Sequence, residues 1–181
     1  MGAGHSLARL CTTWYMMYRL VHINDGDVAM PPIRISATAH SEADAAAVFS
    51  VLKDAPNWPR WSMFDAVELD RPGNDEPYGV GSIRTFVTRV SRATEEVIEL
   101  VPNRRLAYVL LAGFPFRDYQ AVVEIVPETN GSRVTWSCSF YPKYFGTGWF
   151  WSMVMRRTLR TISAQLAAAP LATHAAPGQA A

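Results

Sequence analysis

The order of its elements constrains this chain more than any single motif: one short helix signal, strand signals in unbroken succession, then one long helix signal over Gly146–Ala169. A single antiparallel sheet followed by one long helix must bury that helix on its concave side, because no other element covers the apolar face. Such a wrap tends to leave a pocket between sheet and helix. The pattern therefore predicts an α+β fold built as a container and says less about its contents.

At 181 residues, with 49% hydrophobic and 18% charged residues, the chain suits one well-buried domain. A net charge of +1 gives no electrostatic footprint for a nucleic-acid backbone, so nucleic acid is not expected as a partner. Cys11 and Cys138 are too few for a disulfide framework and lack the spacing of a metal site, which points to a reduced, cytoplasmic setting. No apolar run approaches the ~20 residues of a membrane span. Leu7–Val21 carries Arg9 and Arg19 and is followed by no small-residue cleavage site, so it does not read as a secretory signal.

Three segments follow from composition. Residues 1–29 form an N-terminal extension in which Leu7, Leu10, Cys11, Trp14, Met17, Tyr18 and Val21 recur at helical spacing. That stripe implies a partner surface, packing on its own domain, or an upstream extension without a selected fold before Met30. Residues 30–169 hold the domain. Residues 170–181 fall to Ala, Pro, Gly, Gln and Thr after Pro170 and are expected to be a disordered tail.

Within the domain, Ile33–Ala39 reads as a first strand. Ser41 then stands three residues before Asp44 in the manner of a capping box, with Ala45, Val48, Phe49 and Leu52 as the apolar face of a helix. Asn57-Trp58-Pro59-Arg60-Trp61 reads as a structural corner, since Pro59 breaks a regular helix and the two indoles bury area at a bend. Strands are expected over Phe64–Leu69, Ser82–Val90, Thr94–Val101, Arg105–Leu111, Asp118–Val126 and Arg133–Tyr141, with Asn130-Gly131 in a loop slightly longer than the tightest hairpin. In the last helix Trp151, Met155, Leu159, Ile162 and Leu166 form one stripe that packs on the sheet.

Asp54-Ala55-Pro56-Asn57-Trp58-Pro59-Arg60-Trp61, Gly79-Val80-Gly81-Ser82 opening a strand, Glu95–Glu99 leading into Val101-Pro102-Asn103-Arg104-Arg105-Leu106-Ala107-Tyr108, and Gly131-Ser132-Arg133-Val134-Thr135-Trp136 occur in that order. Together they resemble the polyketide cyclase/dehydrase and lipid-transport group of the START-like (SRPBCC) superfamily, over roughly residues 33–168. The resemblance implies a helix-grip fold, a curved antiparallel sheet wrapped around the C-terminal helix with a deep apolar cavity that takes lipids, polyketides or other hydrophobic small molecules. The superfamily holds binding proteins and enzymes alike, and no cofactor is expected.

The residues offer few catalytic groups. His5 and His22 lie in the extension, His40 ends a strand and His174 sits in the tail, so neither a histidine base nor a nucleophile–histidine pair is supported, and no cluster has metal-ligand spacing. Cys138, alternating with Trp136 and Phe140, reads as a small buried hydrophobe. Arg84, Phe86, Thr88 and Val90 share one strand face and Ile83, Thr85, Val87 and Arg89 the other; if the first is interior, Arg84 binds an acidic head group or orients a carbonyl, and if not it is solvated. Glu95, Val97, Glu99 and Val101 pose the same question, with Glu99 the candidate carboxylate.

Tyr108 and Tyr119 are the better pocket candidates, each a phenol among apolar strand neighbours or a residue that caps the core. Phe86, Trp136, Phe140, Met155 and Leu159 would line the same space. The aromatic run Tyr141–Trp151 reads first as packing of the helix start on the sheet rim, and second as a pocket mouth meeting ligand or membrane surface. Three functions are weighed. The first is a binder, or transporter, of a hydrophobic small molecule, as monomer or homodimer. The second is a cyclase or dehydratase using Arg84, Glu99 and Tyr108. The third is an interaction module working through Leu7–Val21.

Overall fold

A computed structural model describes the backbone of residues 31–174 and the side chains through residue 170; the amphipathic stretch Leu7–Val21 lies outside the described residues. The chain from Pro32 onward makes one compact unit. Its strands are β1 (Ile33–Ser41), β2 (Ala66–Arg71), β3 (Ile83–Val87), β4 (Arg92–Val101), β5 (Arg105–Ala112), β6 (Phe116–Glu128) and β7 (Gly131–Pro142). They form one seven-stranded antiparallel sheet in the order β1-β7-β6-β5-β4-β3-β2. First and last strands pair, and the connection from β1 to the far edge runs through α1 (Ala45–Lys53) and a 3-10 helix, Ala55–Arg60. The final helix, α2 (Gly148–His174), packs on β1 and β7. This is the α+β helix-grip architecture expected from the sequence, with the curved sheet gripping the terminal helix.

Alternation makes the sheet two-faced. Ile35 and Ala37, Val123 and Ile125, and Val134, Trp136, Cys138 and Phe140 point into one core with Met155, Leu159, Ile162 and Leu166 of α2. Full burial of a side chain such as Leu166 contributes about 2–3 kcal/mol. The corner at Trp58 is structural, as expected: its ring is buried and its Nε1 donates to the Leu52 carbonyl at 2.9 Å.

Several boundaries differ from the sequence reading. Asp44, not Ser41, caps α1, its carboxylate accepting from the Ala47 N–H at 2.8 Å, while Ser41 closes β1. β2 starts two residues later than expected, at Ala66. β3 stops at Val87 because Thr88 turns the chain, its hydroxyl accepting from the Ser91 N–H. The Asn130-Gly131 loop is tighter than expected, since β6 and β7 extend until Glu128 pairs with Gly131. Gly131 sits at φ +118° with its absent Cβ 2.0 Å from the Ser41 carbonyl oxygen, a place no side chain fits.

The tail expected from residue 170 is corrected in part: α2 continues through Pro170 to His174. Proline withholds one helical N–H, yet Ala167, Ala169 and Pro170 are buried, with Ala167 in the core cluster. The Ser41 hydroxyl donates to the Ala167 carbonyl at 2.6 Å, anchoring the turn before the proline.

Candidate functional site

The register of the β3–β4 hairpin sets Arg84 opposite Glu95 on the interior face. Nε and Nη2 of Arg84 both donate to Glu95 Oε1, at 2.9 and 2.7 Å. The guanidinium is fully buried and lies over two rings, 5.3 Å from the centre of Trp58 and 5.1 Å from that of Phe86. Its Nη1 has no hydrogen-bond partner among the described residues, nor has the buried Trp61 Nε1, whose ring stands 5.1 Å from Trp58. Of the two placements left open by alternation, Arg84 and Phe86 take the interior one. Val90, expected on the same face, lies beyond the strand end and is exposed.

Glu99 does not join them. Ile98 is an extra residue in β4, so Val97 pairs with Tyr108 and Glu99 with Ala107, and the bulge swings Glu99 to the outer face. There it is half-exposed and accepts from Arg105 Nε at 2.9 Å. Leu100 takes its place inward, paired with Leu106. The interior carboxylate is therefore Glu95, which strict alternation had grouped with Glu99. Burial raises its pKa above the usual glutamate value, and Arg84 pulls it part of the way back.

Tyr108 and Tyr119 are both buried on the interior face. The Tyr108 hydroxyl accepts from Trp136 Nε1 at 3.1 Å, which leaves its own proton free to donate. Burial first, and Glu95 second, hold that phenol well above its ordinary pKa. Tyr119 is raised by burial and by Tyr108 beside it, with ring centres 6.4 Å apart. Cys138 belongs to the same group and is buried, its thiol pushed up to about 11 by burial. Phe86, Trp136, Phe140, Met155 and Leu159, expected to line the same space, all pack in the one core cluster.

The interior is closed where the β5–β6 turn meets the start of α2. An Asp118 bulge, at φ +50°, puts both Phe116 and Tyr119 on the interior side. Phe116 packs on Phe140 at 4.2 Å and edge-on to Trp151 at 5.0 Å, with Phe114 6.2 Å from Trp151. Packing on the rim thus accounts for Trp151. It does not account for Tyr144, Phe145 and Trp149, which face outward.

Elsewhere the chemistry is thin. His40 pairs with Glu128 on the surface, and His174 is the last residue of α2. Among the described residues no group of three or more His, Cys, Asp or Glu stands together as a metal site. An open groove of about 280 Å³ runs between Ala39–Glu42 at the end of β1 and Ala164, Ala167 and Ala168 of α2, with His40 and Glu42 on its strand side. Among the described residues no helix is long and apolar enough to cross a membrane. The sequence missed Glu95 as the partner of Arg84, Trp58 as a ring beneath it and Phe116 as an interior residue; a hairpin turn placed at Thr88–Ser91 was the one signal able to pair 84 with 95.

Solved structures share this architecture. A START superfamily protein from Mycobacterium smegmatis superposes with a TM-score of 0.67 at 17% identity, covering 77% of this chain and 98% of its own. The ZhuI aromatase/cyclase from Streptomyces sp. R1128 gives 0.66 at 14% identity, covering 77% and 94%. Ara h 8.0201 gives 0.64 at 13%, covering 78% and 99%. At these identities the likeness is one of fold. No curated protein matches the chain. The model of the polyketide cyclase / dehydrase and lipid transport family matches residues 32–176, most of the chain and all of the interior just described, and the chain belongs to that family.

Proposed function

We propose that the protein binds a hydrophobic small molecule carrying an oxygen acceptor, such as a lipid or polyketide, between the inner face of β3–β7 and α2. The observation that carries this is Arg84: a fully buried guanidinium with Nη1 unpaired, paired to Glu95 and set against two rings in a largely apolar interior. A buried donor left unsatisfied costs about 1–3 kcal/mol, a cost that an acceptor oxygen on a ligand removes. Such a site takes most of its affinity from apolar contact and its orientation from a few polar atoms, here Arg84 and the Tyr108 hydroxyl. In this reading the protein works in the cytoplasm as a monomer or homodimer, without nucleic acid.

Equilibrium titration with fatty acids, isoprenoids and aromatic polyketides, with mass spectrometry of co-purified ligand, tests the proposal. Tyr108→Phe keeps the ring and removes the donor, and is expected to weaken a carbonyl-bearing ligand about tenfold. If no apolar compound binds and none co-purifies, the reading fails.

A cyclase or dehydratase is the second reading, favoured by one observation: the buried Glu95, with its raised pKa, sits against Arg84 beside Tyr108. In that reading Arg84 polarises a substrate carbonyl, and Glu95, in place of Glu99, moves the proton. Turnover of a polyketide surrogate that survives Glu95→Gln removes it.

A further inference from the structure

We propose that the outer face at the start of α2, together with the β7–α2 connection, docks on an anionic lipid bilayer. Phe145 is 98% exposed and Trp149 73%, with Tyr144 and Met153 beside them in sequence and also exposed. At 100° per residue, Trp149, Met153, Arg156, Arg157 and Arg160 fall within an arc of about 100° on α2. All five are exposed, on the side opposite the buried Met155, Leu159 and Ile162. One face of the helix thus runs from aromatic at its start to cationic two turns on. Trp and Tyr favour the lipid headgroup layer, and arginines beside them complete an interfacial face.

Charge selects the partner. After Glu128 the sequence contains no Asp or Glu, whereas Arg133, Lys143, Arg156, Arg157 and Arg160 follow. Arg133 pairs with Glu128; Arg156, Arg157 and Arg160 meet no carboxylate among the described residues. A second copy of the chain would bring two such arginine clusters together, which disfavours self-association through this face. An anionic lipid surface complements both halves of it.

The patch also continues inward. Trp149 touches Phe150 at 6.1 Å, Phe150 touches Trp151 at 5.1 Å, and Trp151 meets Phe116 at 5.0 Å, which stacks on Tyr119 at 5.7 Å. These ring contacts join the outer patch to the packed interior that holds Tyr108 and Arg84. The docking does not rest on the ligand reading above.

Vesicle flotation of the full chain without added ligand tests the docking alone, using phosphatidylcholine and phosphatidylcholine mixed with phosphatidylglycerol. Binding is expected to the mixed vesicles and to fall with added salt. Phe145→Ser with Trp149→Ser is expected to weaken it about tenfold or more. Replacing Arg156, Arg157 and Arg160 by Gln should weaken it on the order of a hundredfold. Unchanged thermal unfolding shows that both variants remain folded. The proposal is overturned if the mixed vesicles do not bind, or if binding survives both variants. It is also overturned if light scattering shows a dimer that the Phe145/Trp149 variant converts to monomer.

Discussion

A guanidinium taken fully out of water is the costliest single group described in this protein, and its surroundings show how the cost is met. Two donors go to Glu95, and two aromatic faces lie against the cation. The raised pKa of Glu95 gives the pair a definite pH dependence. A carboxyl whose folded pKa lies above its unfolded value adds stability below the unfolded pKa and loses it as pH rises through the folded one. Arg84→Met removes the one cation holding that shift in check, so the folded pKa of Glu95 moves further up. Denaturant unfolding is expected to show the variant losing about 3–5 kcal/mol near pH 8 and distinctly less near pH 5. The Arg84→Met/Glu95→Gln double variant is expected to lose that pH slope. A single variant equally destabilised at both pH values would show that Glu95 is not the group responsible.

Elements are set by local signals and trimmed by their neighbours. The Asp44 cap was within reach of sequence reasoning, since Asp directly before an apolar helical stripe is an N-cap signal in its own right. Asp44→Ala is expected to cost about 1 kcal/mol, read as a lowered unfolding midpoint with an unchanged denaturant slope. Gly131→Ala is expected to cost more, about 3 kcal/mol, because the new methyl meets the Ser41 carbonyl as well as an unfavourable φ. A loss of only a few tenths would mean that the β6–β7 turn relaxes freely. The bulges at Ile98 and Asp118 belong to this scale too. Neither has a residue signature, yet the first sends Glu99 outward and the second brings Phe116 inward.

At the scale of the molecule, the sheet joins its first and last strands and places α2 over β1 and β7, so the interior toward β3–β5 is walled by rings instead of by the helix backbone. Among the described residues, the buried core side chains come from residues 35–169. A chain shortened to begin at Pro32 is therefore expected to unfold cooperatively, with its midpoint within a few degrees of the full chain by calorimetry. A loss of cooperativity would show that residues 1–31 supply part of the core.

What the sequence determined by itself is the set of elements and their order, because period and turn chemistry are local: a stripe at 3.6 residues is a helix, and alternation between Gly and Pro breaks is a strand. Family membership was legible for the same reason, being carried by motifs in sequence order. Tertiary structure alone decided which carboxylate meets Arg84, how far α2 runs past Pro170, and which aromatics of Tyr141–Trp151 pack and which face outward. Each depends on registers and contacts between residues far apart in the chain, where one extra residue in one strand turns every side chain after it to the other face.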